Sequence, residues 1–157
     1  MQLFILRHGQ AEIQQTTDEA RHLTFAGRRD VTSAVDASLN DLKILQQVWI
    51  SPLIRAQETA AIVCDELKKN RIDFTTNTTD LLVPEANPLV LFEALEKVEC
   101  DSILLVSHQP LVGYFIDLFC GSQQGFHAMN TSSLACIDYE VAAPGLGTLR
   151  WLRHVNV

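Results

Sequence analysis

The sequence has no apolar run approaching the ~18 residues of a membrane span, and Arg7 breaks its apolar start before a secretory h-region can accumulate. Neither a membrane-embedded chain nor a signal peptide is expected. Basic charge is scarce: 12 Lys and Arg face 19 Asp and Glu, for a formal net charge of -7. That balance argues against general binding to nucleic acid or to an anionic membrane, since both require a basic surface. Cysteine is sparse too. Cys64, Cys100, Cys120 and Cys136 are far apart and form no CxxC pair, so neither a zinc site nor a disulfide framework is expected, and a reducing cytoplasm is the default compartment. No repeat, low-complexity tract or linker is visible.

What remains is a chain of 157 residues, 47% hydrophobic and 20% charged, with the composition of an ordinary globular protein. Its length fits one domain, residues 1–157, with a core of its own. On so acidic a chain any arginine cluster must be local, and a local basic site points to one small anion.

Leu3-Phe4-Ile5-Leu6 runs apolar without alternation and stops at Arg7-His8-Gly9. Such a run reads as a strand buried on both faces of a parallel sheet, and ligands bind beyond the carboxyl ends of such strands. Gly9 would let the backbone turn closely around the ligand. Residues 10–21 are polar and irregular, a loop over the strand ends. Thr24 caps a helix through about residue 38, with Gly27 weakening its first turns. Residues 41–47 form a helical turn or short helix, and Val48-Trp49-Ile50 a short strand.

The clearest helix starts at Ser51, with Ser51 as its N-cap and Pro52 at its first position. Leu53, Ala56, Ala60, Val63, Cys64 and Leu67 share its buried face, and Lys68-Lys69-Asn70 closes it. Residues 72–76 suggest a third strand. Pro84 and Pro88 bracket a loop before a helix marked by Leu91, Phe92, Leu95 and Val98. Residues 102–107 repeat the doubly buried pattern and end in His108-Gln109-Pro110. Pro110 opens a helix that closes near Gly121, and residues 133–141 and 148–155 form two strands joined at Pro144-Gly145. Strands alternating with helices of this length predict an α/β fold, a three-layer α/β/α sandwich around a mainly parallel sheet.

Three strand-to-helix junctions share one composition: Arg7-His8-Gly9, Ser51-Pro52-Leu53-Ile54-Arg55 and Ser107-His108-Gln109-Pro110. Arg55 sits in a first helical turn, where the macrodipole disfavours a cation by roughly 0.3–1 kcal/mol. A phosphate bound there would reverse that sign, because helix N-termini and guanidinium forks both favour it.

Leu6-Arg7-His8-Gly9, then Ser51-Pro52-Leu53 with Arg55-Ala56 and Thr59-Ala60, then Ser107-His108 after an apolar strand resemble the histidine phosphatase superfamily in order along the whole chain. That superfamily includes phosphoglycerate mutases and acid phosphatases. Met1-Gln2 with Phe4-Ile5, Arg21 with Leu23-Thr24 and Gly27, and Pro110-Leu111-Val112-Gly113-Tyr114 are similar to its short bacterial phosphohistidine phosphatases.

The resemblance implies a phosphoglycerate mutase-like fold in minimal form. The interval from Arg55 to His108 is too short for the helical cap subdomain of larger members, so an open, shallow site is expected. It also implies roles. His8 is the nucleophile, forming a phosphohistidine that water hydrolyses, with one ring nitrogen bound to the Gly9 backbone. Arg7, Arg55 and His108 clamp the phosphoryl oxygens, and Arg21 and Gln109 assist in binding the substrate, Arg21 being equally readable as a surface arginine. No metal and no cofactor are required. Larger members use a Glu or Asp as general acid; Asp80 and Glu85 lie in that region, undecided between themselves and equally readable as solvated loop residues.

The implied substrate is phosphohistidine on a partner protein, such as a phosphorelay histidine phosphotransfer domain or a phosphotransferase-system carrier, met by a monomer. A small phosphate ester or pyrophosphate is the first rival, and a non-catalytic module binding a phosphorylated partner the second. His22 and His127 are not read as metal ligands, because the arginines would repel a cation. Thr131 and Ser132 offer donors to phosphate or simply form a strand-entry turn. His154 reads as a surface or edge residue, and Trp49 and Trp151 as core or sheet surface.

Overall fold

A computed structural model describes residues 1–155; the last two residues of the expected domain lie outside them. Six strands form one sheet: β1 (Gln2–Arg7), β2 (Gln47–Ile50), β3 (Thr75–Thr78), β4 (Ser102–Ser107), β5 (Leu134–Tyr139) and β6 (Gly147–Arg153). The helices are α1 (Phe25–Ala37), the single turn α2 (Leu39–Leu42), α3 (Ile54–Lys69), α4 (Pro88–Glu96) and α5 (Leu111–Cys120), with 3-10 turns at Asp18–Ala20 and Asp80–Leu82. Strand order is β3-β2-β4-β1-β5-β6. The first four run parallel, while β5 is antiparallel to both β1 and β6.

Strand alternation divides the core in two. Leu3, Ile5, Ile103 and Leu105 point to one face and pack with Leu91 and Phe92 of α4 and Phe115 of α5. Phe4, Leu6, Leu104 and Val106 point to the other and pack with Val31 of α1 and Ala60 and Val63 of α3. Both sides of β1 and β4 are therefore covered, and the unbroken apolar runs of the sequence follow from that. The three-layer sandwich is present, without a large cap. No helix among the described residues is long and apolar enough to cross a membrane.

Several boundaries differ from expectation, each for a local reason. α3 starts at Ile54, with Leu53 rather than Ser51 at its N-cap position. Ser51 is fully buried and directs its hydroxyl elsewhere, as described below. The third strand is Thr75–Thr78, not residues 72–76. Ile72 ends the preceding helix instead. Arg71 adopts a left-handed conformation (φ 59°), the Ile72 N–H donates back to Leu67 O at 3.1 Å, and Ile72 joins the same apolar cluster as Leu67, the arrangement of a Schellman close. β3 is an exposed edge of polar residues, so it carried no hydrophobic alternation to be read.

Gly27 is not a weak point in α1. The Thr24 hydroxyl accepts its N–H at 3.0 Å, and a Cβ on Gly27 would lie 2.1 Å from Gln10 O. Gly9 faces the same contact, since its Cβ would meet Gly27 O at 2.8 Å. The two glycines let the chain leaving β1 press directly against α1.

Candidate active site

The sheet register builds the site. Arg7 is paired with Ser107 and Ile50 with Val106, so the residues that follow these strands emerge side by side. The His8 N–H donates to Ser107 O (3.0 Å) and the Ser51 N–H to Val106 O (3.1 Å). The rings of His8 and His108 consequently stand 5.0 Å apart between centroids.

His8 is 5% exposed, and its Nδ1 lies 2.7 Å from Gly9 O. A carbonyl only accepts, so Nδ1 carries the proton and Nε2 the lone pair. Arg55 Nε donates to that Nε2 at 3.3 Å. Burial pulls the His8 pKa down to about 4; the Gly9 bond opposes this, while Arg55, Arg7 and Arg21 add to it. Thr59 supports the arrangement from α3: its hydroxyl accepts the Gly9 N–H (3.1 Å) and donates to Arg55 O (2.7 Å). His108 is 0% exposed, with Nε2 at 2.7 Å from Ser51 Oγ. Its pKa falls to about 3 through burial first, then His8 and Arg55, with Asp18 opposing.

The cations surround these rings. Arg7 Nη1 donates to Met129 O at 2.8 Å. Burial, with Arg55 and Arg21 nearby, lowers its pKa, yet a guanidinium remains charged at neutral pH. Arg55 is 3% exposed and is held at its far end by Asp18, Nη1 to the main-chain O (2.9 Å) and Nη2 to Oδ2 (3.0 Å). Arg21 reaches the other carboxylate oxygen at 3.1 Å and Glu12 O at 2.7 Å. Partial burial pushes the Asp18 carboxyl up, but the guanidiniums of Arg21 and Arg55 outweigh it and hold it below its ordinary value. Three arginines against one carboxylate leave the cluster positive, the condition for taking a further anion.

The structure thus brings together Arg7, His8, Gly9, Arg21, Arg55 and His108. Among the described residues none of the other candidates makes a hydrogen bond or ion pair with these side chains. Asp80 and Glu85 are exposed, and neither side chain makes a hydrogen bond or ion pair among the described residues. Gln109 uses its side-chain oxygen to accept the Gly113 N–H at 2.8 Å, which caps α5, so that oxygen is not free for a substrate. The open, shallow site is not what is observed either. The connection after β1 folds its 3-10 turn back and sets Asp18 on Arg55, leaving both histidines buried.

Other residues take structural positions. His22 and Arg28 pair with Glu58, and His127 pairs with buried Asp117 at 2.7 Å. No three His, Cys, Asp or Glu side chains among the described residues converge to hold a metal. Ser132 is left-handed (φ 63°) and donates its N–H to Arg7 O and His8 O at 3.1 Å, so the strand-entry turn braces the backbone of the first motif. His154 bonds Ser133. Trp49 lies in the core, and Trp151 packs on Phe4 under Arg153.

Sequence reasoning missed Asp18 and Thr59 as parts of the site. Thr59 had a signal, a polar residue on the buried face of α3 one turn after Arg55. Asp18 had only its i,i+3 spacing to Arg21.

Comparison with known proteins agrees with this geometry. Residues 3–79 match the model of the histidine phosphatase superfamily, branch 1. The chain is 30% identical over 159 residues to the phosphohistidine phosphatase SixA of Escherichia coli (strain K12), covering 96% of this chain and 92% of that protein. It is 34% identical over 125 residues to the SixA homolog of Haemophilus influenzae, covering 74% and 75%. The solved structure of the protein histidine phosphatase SixA complexed with tungstate superposes with a TM-score of 0.85 at 28% identity, over 97% of this chain and 96% of that one. With these motifs at adjacent strand ends and a relative 30% identical over 96% of this chain, the chain belongs to the histidine phosphatase superfamily.

Proposed function

We propose that this protein is a phosphatase that removes phosphoryl groups from phosphohistidine on a partner protein, working through a covalent phosphohistidine on His8. A phosphorelay histidine phosphotransfer domain or a phosphotransferase-system carrier has the chemistry required of the partner. The observation that carries the reading is the His8 ring, whose Nδ1–H is tied to Gly9 O while Nε2 keeps its lone pair beside Arg55. A neutral imidazole in that tautomer is a nucleophile with its attacking atom chosen in advance.

In the first step Nε2 bonds to phosphorus as the phosphorus–nitrogen bond of the substrate breaks. The departing imidazole takes the electron pair. With its other ring nitrogen protonated it leaves neutral, so a general acid matters less than for an alkoxide. Water then attacks phosphorus, the bond to Nε2 breaks and phosphate leaves. Arg7 and Arg55 balance the charge of the phosphoryl oxygens in flight, which is usually the largest catalytic contribution. They serve where other phosphoryl-transfer enzymes place magnesium, so we assign no metal. We assign the protein to a reducing cytoplasm, the default for four scattered cysteines without a CxxC pair.

The names of the curated relatives support phosphohistidine as the substrate class, as does the lack of a large cap. One observation favours a small phosphate ester or pyrophosphate instead: with Asp18 on Arg55 the histidines are covered, and a small anion has less to displace. Wild-type protein and His8→Ala should be exposed to a radiolabelled phosphohistidine carrier and quenched in alkali. Acid-labile phosphate on the wild type and none on His8→Ala is expected; its absence from both would sink the covalent mechanism and leave a binding module. Faster turnover of a panel of small phosphates than of the carrier would transfer the assignment to the small-molecule reading.

A further inference from the structure

Among the described residues, His108 Nδ1 is buried without a hydrogen-bond partner, while Nε2 of the same ring is held by Ser51 Oγ at 2.7 Å. Burial beside His8 and Arg55 keeps this ring neutral, so one nitrogen carries a proton and the other a lone pair. Ser51 decides which. Its hydroxyl oxygen receives the Leu53 N–H at 3.4 Å, an interaction in which the backbone can only donate. Ser51 is itself 0% exposed, and His108 Nε2 is the one acceptor within reach of its hydroxyl proton among the described residues.

Two arrangements are possible. If Nε2 were protonated and donated to Oγ, the hydroxyl would accept twice and its own proton would be buried without an acceptor. Such an unmade bond costs roughly 1–3 kcal/mol. If the hydroxyl donates to the Nε2 lone pair, every group at that end of the ring is satisfied and the ring proton sits on Nδ1.

We propose that Ser51 is a positioning residue that fixes His108 as the Nδ1–H tautomer, so that the ring presents a donor, not a lone pair, to a phosphoryl oxygen. The inference rests on reading the site as a phosphoryl-transfer centre. It makes the two histidines complementary. His8 anchors its Nδ1–H on Gly9 and keeps a lone pair for phosphorus, whereas His108 anchors its lone pair on Ser51 and keeps an N–H for oxygen. In the opposite tautomer the Nδ1 lone pair of His108 would repel the phosphoryl oxygen it is meant to hold. This also accounts for Ser51 being withdrawn from the N-cap of α3.

Nitrogen-15 spectra of the imidazole rings test this directly, with His108 assigned by comparison with His108→Gln. In the wild type, His108 should show a protonated Nδ1 and an unprotonated Nε2. In Ser51→Ala the Nε2–H form should appear, and the affinity for inorganic phosphate should fall about tenfold while the His8 pattern stays unchanged. Ser51→Thr, which keeps the hydroxyl, should retain the wild-type His108 pattern. A wild-type ring protonated at Nε2 overturns the proposal, and that spectrum suffices even if Ser51→Ala does not fold. Unchanged tautomer and phosphate affinity in a folded Ser51→Ala overturn it as well. The expected wild-type tautomer together with no response of either ring to phosphate would instead sink the phosphoryl-transfer reading and remove the donor's task.

Discussion

His8 and Arg55 lie in hydrogen-bond contact although one is a base and the other a permanent cation. Their proximity is tolerated because the imidazole stays neutral, with a pKa near 4 against an ordinary 6.5. The sign of the linked stability follows. Between those two values the unfolded chain binds a proton that the folded one refuses, so acid favours unfolding. The stability is fully present above about pH 6.5 and is lost as pH falls toward about 4. Urea unfolding measured from neutral pH down through this window should show the decline. His8→Asn should make it shallower without abolishing it, because His108, held down to about 3 in the fold, also takes up a proton on unfolding. Identical slopes in the two proteins would place the proton uptake at another group.

Asp18 yields the second prediction at this scale. Its carboxylate occupies Arg55 Nη2 and Arg21 Nη1, donors that a phosphate would also seek. Asp18→Asn retains the shape and removes the competing charge, so phosphate should bind several-fold tighter, as titration calorimetry would register. Weaker binding would mean that Asp18 serves chiefly to hold Arg55 in place for the substrate.

Between residue and fold stand the connections that fix relative position. α3 carries both Arg55 and Thr59, and Thr59 joins the Arg55 carbonyl to the Gly9 N–H. The helix thereby sets the backbone that in turn sets the His8 ring. Thr59→Val keeps the volume and removes the hydroxyl, leaving a buried N–H unpaired at a cost of roughly 1–3 kcal/mol. Unfolding by urea should report that loss. Turnover should fall at least tenfold at substrate saturation, with KM little changed, because the nucleophile and not the anion clamp is disturbed. A loss confined to stability would make Thr59 merely structural.

Much of this level was legible beforehand. Apolar periodicity marked α3, α4, α5, β1 and β4 because these elements bury a continuous face. β3 was misplaced because an exposed edge strand has no buried face to leave a pattern. The start of α3 was misread because Ser51, a good cap by residue type, is bonded to a histidine far away in the chain.

Over the whole molecule, the parallel order β2-β4-β1 gathers three strand ends into one site, while the antiparallel β5 and β6 complete the sheet beside β1. Asp80 and Glu85 lie in and after the turn that follows β3; both are exposed and make no hydrogen bond or ion pair among the described residues, although the Ser107 hydroxyl ties that turn to the end of β4 by donating to Leu82 O at 2.6 Å. Asp80→Asn and Glu85→Gln should accordingly each change phosphohistidine turnover by less than threefold. A larger loss with either, confined to ester substrates, would identify that residue as a general acid for poorer leaving groups.

The chain by itself determined the three central motifs: doubly apolar runs that end in Arg-His and Ser-His read as central strands with polar ends, and a cation in a first helical turn favours an anion beside it. Tertiary structure alone decided which group meets His108 Nε2 and how the site is covered. Those depend on the sheet register that sets Ser51 against His108, and on the loop that returns Asp18 to Arg55. Such pairings join positions whose separation leaves no local signature, so they exist only once the sheet has brought them within a hydrogen bond of one another.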